Sequence, residues 1–167
     1  RLSNLKKVKK RIKFIKHDLS KKRSLKVFKN ADYIFHLAGL TQAAESVSKP
    51  KKYHKANFIS TQNILKMINY KKIKKFIYTA SASCYGNAKS KLISENSHIN
   101  ILSPYASTKW KSEKLIMKYS KKYKFSAFSL RLFNVYGPRA RADNQYSGVI
   151  SIFLKQKKSK KPLTIVG

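Results

Sequence analysis

A chain of 167 residues has room for one compact domain and too little for two ordinary ones, and 42% apolar with 12% aromatic residues argues against intrinsic disorder. One cysteine, Cys84, excludes an internal disulfide framework and a cysteine-rich zinc site, and no stretch approaches the length of apolar run that spans a bilayer. Thirty-nine Lys+Arg against six Asp+Glu give a net charge of +33, yet all but six of those cations are lysine and they are spread along the whole chain, which reads as a lysine coat rather than the arginine-rich face of a nucleic-acid reader.

In chain order, Ile12, Phe14 and Ile15 make a short strand-like run ending at His17-Asp18. Ser20 stands where it can cap a helix with apolar positions Leu25, Val27 and Phe28. Asp32 to Leu37 reads as a second strand that enters the small-residue turn Ala38-Gly39. Ser48-Lys49-Pro50 starts a helix, proline being tolerated in the first turn. Ala56, Ile59, Asn63, Met67 and Tyr70 mark one face of it, widened by Ile64, Leu65 and Ile68. Phe76 to Ala80 is a third strand, and residues 81–103 form a polar loop. Ser103-Pro104 opens another helix bearing Ile116, Tyr119 and Tyr123, followed by a fourth strand from Phe125 to Arg131. A long loop then leads to a helix over Val149 to Lys157 and a last strand from Leu163 to Val166. Strand and helix alternate at the spacing of βαβ units, so the fold class is α/β, a partial doubly wound, Rossmann-like parallel sheet with flanking helices. In such sheets chemistry sits beyond the carboxyl ends of the strands, here after Leu37, Ala80, Arg131 and Val166.

A tyrosine followed four residues later by a lysine can serve as a base on one helix face. A phenol ionises near pH 10, and working near neutrality needs a displacement of roughly three pH units, about 4 kcal/mol, from neighbouring positive charge. Three such pairs occur, Tyr70/Lys74, Tyr85/Lys89 and Tyr105/Lys109, against about two expected by chance. Context selects Tyr105/Lys109, which lies in the first turn of a helix and follows a strand ending in the hydroxyl-rich run Thr79-Ala80-Ser81-Ala82-Ser83.

Five motifs stand in order along the chain: Asp32-Tyr-Ile-Phe-His-Leu-Ala-Gly39, Asn57 in Ala-Asn-Phe-Ile-Ser-Thr61, Ser81-Ala-Ser-Cys-Tyr-Gly86, Ser103-Pro-Tyr-Ala-Ser-Thr-Lys109 and Arg131-Leu-Phe-Asn-Val-Tyr-Gly-Pro-Arg139. Together they resemble an extended short-chain dehydrogenase/reductase of the NAD-dependent nucleotide-sugar epimerase/dehydratase family, over nearly the whole chain. The resemblance implies that Tyr105 is the base for a sugar hydroxyl. It implies that Lys109 holds the nicotinamide ribose of NAD and lowers the tyrosine pKa, and that Ser81 hydrogen-bonds the same sugar oxygen. It puts Asp18 at the adenine amino group and Leu37, Ala38, Gly39, Asn57 and Phe133 along the cofactor. Ser83, Asn134, Arg139, Gly148 and Val149 fall on the substrate side, with Asn134 at the diphosphate. Relatives that dehydrate or decarboxylate carry carboxylates just after the catalytic hydroxyl; here those places are Ala82 and Ser83, which favours a 4-epimerase of the UDP-glucose or UDP-N-acetylglucosamine type. The alternatives are another reaction of the same family (dehydratase, decarboxylase or reductase) or a basic polyanion-binding module. The resemblance further implies a cytoplasmic homodimer formed through helices 50–70 and 104–123, with no specific nucleic-acid or membrane partner.

The main departure is the absence of a glycine-rich phosphate loop. The five glycines, at 39, 86, 137, 148 and 167, form neither G-x-G-x-x-G nor G-x-x-G-x-x-G. The expectation is therefore that residues 1–167 are the central part of the domain, without the first βαβ unit and the C-terminal substrate part, and are inactive alone, binding NAD weakly or not at all. An apolar sheet edge is expected to be left open. Plainer readings stand beside the functional ones: Asp18 as a turn or cap acid, His36 as a strand-end packing residue, Cys84 as a semi-buried thiol, Glu113 as a helix-surface charge or helix-pairing contact, and Arg139 with Arg141 as solvated loop cations. His17, His54 and His98 show no metal-ligand spacing.

Overall fold

The computed structural model describes residues 2–21, 25–88, 92–138, 140 and 148–165. They divide into two compact units, Asp18–Phe133 and the pair of segments Arg1–His17 with Asn134–Gly167.

In the larger unit three strands form a parallel sheet in the order β1 (Tyr33–His36), β2 (Lys75–Thr79), β3 (Ser126–Leu130). This is the arrangement expected of consecutive βαβ crossovers. The period-2 pattern decides which side chains enter the core. Ile34, Phe76 and Tyr78 point inward with Ala80, and they meet Ile64, Leu65, Ile68, Ile73, Ile116 and Phe125. Each of the larger apolar groups contributes about 1.5–3 kcal/mol on burial. The opposite face carries Tyr33, Phe35, Phe128 and Leu130, all exposed. Parallel sheets ordinarily carry helices on both faces; the helices of this unit cover one.

Short helix α1 (Lys26–Lys29) precedes β1, and α2 (Ala43–Ser48) follows it. A long helical segment then runs through α3 (Pro50–Tyr53), a widened π-turn at His54–Ile59 and α4 (Ser60–Met67). Pro50 opens it as expected. The hydroxyls of Ser60 and Thr61 donate to the carbonyl of Asn57, at 3.1 and 2.7 Å, within the turn that widens. Helix α5 (Pro104–Tyr123) is capped by Ser103, whose Oγ accepts from the Ala106 N–H at 3.1 Å. In the smaller unit, α6 (Val149–Lys158) matches the expected helix.

Four expectations are corrected. Residues 12–17 are not a strand: Ile12, Phe14 and Ile15 are exposed, and no ladder partner exists for them among the described residues. Ser20 caps no helix; its N–H and hydroxyl both bond Asp18 Oδ1, and Leu25 occupies the N-cap of α1. The helix expected to reach Tyr70 stops at Met67, where Ile68 turns extended, and the Tyr70 hydroxyl folds back onto the Leu65 carbonyl. Leu163 to Ile165 form no strand; Thr164 instead bonds the side chain of Gln156 on α6 through its N–H (3.3 Å) and hydroxyl (2.8 Å). Val166 lies outside the described residues.

His36 packs at the end of β1, 3% exposed, with Nε2 2.9 Å from Thr61 Oγ1. The Thr61 proton goes to the Asn57 carbonyl, so Nε2 must be the donor and the ring is the neutral Nε2–H tautomer. Burial lowers its pKa from 6.5 to about 4, with the Lys109 charge adding to the effect. Between those values the unfolded chain holds the proton and the folded chain does not, so stability is lost as pH falls from 6.5 toward 4. The loss attributable to this ring amounts to about 3 kcal/mol. Urea unfolding at pH 7 and pH 4.5 checks it: His36→Gln should show a smaller decrease between the two than the unaltered protein, and equal decreases would remove His36 as the cause.

Candidate active site on the inner face of α5

The buried positions of α5 are Tyr105, Ala106, Thr108, Lys109, Ser112, Glu113 and Ile116, a stripe at helical spacing. Most of this stripe is polar, where a structural helix would place leucines. Polar groups are buried at a cost unless each finds a partner. Thr108 Oγ1 donates to the Tyr105 carbonyl (2.8 Å) and accepts from Asn57 Nδ2 (3.2 Å). Ser112 Oγ donates to the Asn57 carbonyl at 3.4 Å. Glu113 receives the guanidinium of Arg131.

Lys109 is 6% exposed, and its ammonium lies 4.4 Å above the centre of the Tyr78 ring. Burial pulls its pKa from 10.5 to about 8. One helical turn earlier, Tyr105 is buried with its ring edge-on to Tyr53, centroids 6.4 Å apart. Its N–H donates to Ser46 Oγ at 3.0 Å, fixing the start of α5 on α2. Tyr53 is itself anchored by donating to Glu45 Oε2 at 2.9 Å. The Lys52 and Lys49 ammonium groups and the Tyr53 hydroxyl on Glu45 hold that carboxyl down at about 2.

Ser81 begins the loop after β2 and caps the 3-10 turn Ala82–Tyr85. Its Oγ accepts from the Ser83 N–H (3.2 Å) and hydroxyl (2.9 Å), which leaves its own proton available to donate. The loops after the three strands are tied edge to edge. Thr79 Oγ1 donates to the His36 carbonyl at 3.3 Å, and the Ala82 N–H donates to the Leu132 carbonyl at 3.0 Å.

Asn57 fixes the loop after β1. Its Oδ1 accepts from the Leu40 N–H at 2.8 Å, and its Nδ2 donates to the Leu40 carbonyl at 3.1 Å. Gly39 makes this fit possible: a Cβ there would stand 2.9 Å from Asn57 Oδ1. Leu37 and Phe133 are both 63% exposed at the ends of β1 and β3, and Phe133 lies nearly parallel to Tyr85. Ala38 is exposed as well. Asp18 is an exposed turn acid whose Oδ1 holds Ser20, and those bonds lower its pKa. In the smaller unit Asn134 is exposed, Gly148 caps α6 and Val149 is the first residue of that helix. Arg139 and Arg141 lie outside the described residues. Among the described residues no group of three or more His, Cys, Asp or Glu is placed to hold a metal ion.

Two residues carry more than the sequence reading gave them. Glu113 is neither a surface charge nor a helix-pairing contact. It forms a buried ion pair with Arg131, Nη2 to Oε1 2.7 Å and Nε to both carboxylate oxygens 3.2 Å. Arg131 Nη1 also donates to the Tyr85 hydroxyl (2.7 Å) and the Glu95 carbonyl (2.8 Å), and the guanidinium faces Trp110 at 5.0 Å. The usable signal was the residue type: an arginine where this chain otherwise uses lysine marks a need for the two-pronged fork. Cys84 is fully buried rather than semi-buried, and desolvation raises its pKa.

The NAD dependent epimerase/dehydratase family matches residues 1–167. A Bacillus subtilis protein described as an uncharacterized UDP-glucose epimerase, YtcB, is 35% identical over 170 residues, covering 100% of this chain and 52% of its own. The crystal structure of UDP-glucuronic acid 4-epimerase from Bacillus cereus in complex with NAD is 32% identical, with TM-score 0.83, over 99% of this chain and 52% of its own. A UDP-N-acetylglucosamine 4-epimerase from Methanobrevibacter ruminantium M1, in complex with UDP-N-acetylmuramic acid, is 30% identical with TM-score 0.80, over 90% and 47%. The chain thus spans about half the length of the relatives it matches. It belongs to the NAD dependent epimerase/dehydratase family.

Proposed function

We propose that the chain is the central part of an NAD-dependent nucleotide-sugar 4-epimerase acting on a UDP-hexose, with the glycine-rich loop and the rest of the substrate site supplied by segments outside these 167 residues. The observation that carries the reading is a tyrosine and a lysine buried one turn apart on a helix face, beside a strand sheet whose end carries a serine with a proton to give. Tyr105 takes the proton of the sugar 4-hydroxyl. Lys109 supplies a positive charge one helical turn from that phenol. Ser81 donates to the same sugar oxygen, and Ser83 holds Ser81 in place.

The residues present fit the nicotinamide end of the dinucleotide. Gly39 packs closely on Asn57 in the turn after β1, Leu37 and Ala38 are exposed just before it, and Phe133 is exposed after β3. Asp18 uses Oδ1 for Ser20 and keeps Oδ2 for an adenine amino group. When bound, NAD supplies the redox couple that removes and returns hydrogen at C4. Oxidation and return at one carbon need no further carboxyl group, and Ala82 and Ser83 offer none after Ser81. Asn134 at the sugar diphosphate, and Gly148, Val149 and Arg139 near its nucleotide, complete the proposed set. We place the active protein in the cytoplasm as a homodimer through segments 50–70 and 104–123; in support of the pairing, the helices of these segments pack against each other.

The test uses the whole protein, this chain with its flanking coding sequence, assayed for interconversion of UDP-glucose and UDP-galactose and of their N-acetyl forms. Turnover is expected, and Tyr105→Phe should reduce kcat about 10²–10⁴-fold while dinucleotide content stays unchanged. No turnover of any nucleotide sugar would sink the reading.

A second outcome separates function from stability. The Lys109 ammonium is charged at pH 7 in a site that disfavours charge, so it destabilises the fold that holds it. Unfolded, it releases its proton near 10.5; folded, near 8. The unfolded state therefore holds the extra proton between pH 8 and 10.5, and stability rises with pH through that window. The displacement corresponds to about 3 kcal/mol. Lys109→Met should abolish turnover, raise unfolding stability at pH 7 by about 2 kcal/mol, and flatten the rise in stability above pH 8, all measurable by urea titration.

A further inference from the structure

The Lys109 ammonium rests on the face of the Tyr78 ring, 4.4 Å from its centre. Tyr78 is 1% exposed and lies on β2, the central described strand. Its hydroxyl is buried beside Ser112, and desolvation raises its pKa. The ring is held from behind. His36 stands directly across the β1–β2 ladder from Tyr78, its ring 5.4 Å away and tilted 35°. Phe76 packs edge-on to His36 at 6.2 Å, and Thr61 holds His36 through Nε2. The sheet thus presents a braced aromatic face to the inner side of α5.

The geometry points to Tyr78 as a positioning residue: its ring face seats the Lys109 ammonium and holds it one turn from Tyr105. The chemistry of this seat is the attraction of a cation for the negative face of an aromatic ring, strongest where water is excluded. The groups that face Lys109 are few. From β1 comes His36, kept neutral, and from β2 comes Tyr78; on its own helix Tyr105 and Glu113 stand one turn to either side, the charge of Glu113 being taken by Arg131 from the end of β3. Of these, only the Tyr78 ring favours the charged lysine without being spent on another partner. For what the lysine does once seated, this rests on the epimerase reading; the seating itself does not.

The experiment compares Tyr78→Phe, Tyr78→Leu and Tyr78→Met in the whole protein. The pKa of Lys109 is read directly by NMR of ¹³C-labelled lysine, assigned through Lys109→Met, and kcat/KM is followed against pH. Tyr78→Phe keeps the ring face and should leave both within error of the unaltered protein. Tyr78→Leu and Tyr78→Met keep the apolar burial and remove the ring; each should lower the Lys109 pKa by about half to one and a half pH units, with a parallel move of the activity profile. Methionine stands in if the leucine variant does not fold. An unshifted lysine in the ring-less variants, a rise in its pKa, or an equal shift in Tyr78→Phe overturns the proposal. A titration that follows expectation in a protein with no turnover would leave the seat standing and remove the epimerase reading.

Discussion

A lysine ammonium buried in the interface between α5 and the sheet is the constraint to which the rest of the larger unit is fitted. Removing an ammonium from water is costly, and a chain with 33 surplus positive charges gains nothing from one more inside. The surroundings are arranged accordingly. The ring of Tyr78 lies beneath the ammonium, His36 behind it is neutral, and the nearest buried carboxylate, Glu113, is already taken by Arg131. A carboxylate directly on Lys109 would have been the cheaper way to bury it. It would also have raised the lysine pKa and spent its field locally. An aromatic partner stabilises the cation without neutralising it, so the interface keeps its positive charge.

The same economy appears in the acidic residues. The chain has six carboxylates, and four of them sit at joints. Asp18 closes the turn into Ser20, Asp32 meets Lys74 at 3.4 Å near the start of β2, and Glu45 ties α2 to α3 through Lys49, Lys52 and Tyr53. Glu113 and Arg131 join α5 to the end of β3. Arg131 also holds Tyr85 and the Glu95 carbonyl, so this one guanidinium fixes the loop that starts at Ser81 against the helix that carries Tyr105. The lysine coat is thus a surface property; the placement of the few acids is where charge shapes the fold.

How much of this could be read from the sequence follows from what each signal depends on. The strands β1, β2 and β3 and helix α5 were legible because short apolar runs and a Ser-Pro cap specify them locally. The runs at Ile12–Ile15 and Leu163–Val166 have the same local look, but a strand exists only where a second strand offers a ladder, and apolar pattern carries no information about that partner. Ser20 and Ser103 are alike as candidate caps; Ser103 caps α5, while Ser20 is captured by Asp18 two residues away. For the site, spacing and motif order brought out Tyr105, Lys109 and Ser81. The supporting groups were hidden because their partners are distant in sequence. Tyr78 meets Lys109 across 31 residues and Glu113 meets Arg131 across 18, contacts that only the sheet and its crossover helix create.

The helix α5 shows why the site and the fold are one problem here. Its inner stripe, Tyr105, Thr108, Lys109, Ser112 and Glu113, contributes little apolar burial, so α5 cannot be held by the hydrophobic effect along that half. Ala106 and Ile116 pack, and the rest is held by side-chain bonds: Ser46 to the Tyr105 N–H, Asn57 to Thr108, Ser112 to the Asn57 carbonyl, Arg131 to Glu113. Such bonds are directional, with a net worth of about 0.5–1.5 kcal/mol each. They fix the rotation of the helix more narrowly than an oily stripe would, because a small roll breaks several at once. The π-turn around Asn57 belongs to the same scheme. Within it, Asn57 serves Ser60, Thr61 and Ser112 with its carbonyl and Leu40 and Thr108 with its side chain. One residue thus ties the turn after β1 to the helix that holds the lysine, so that the two meet in a single orientation.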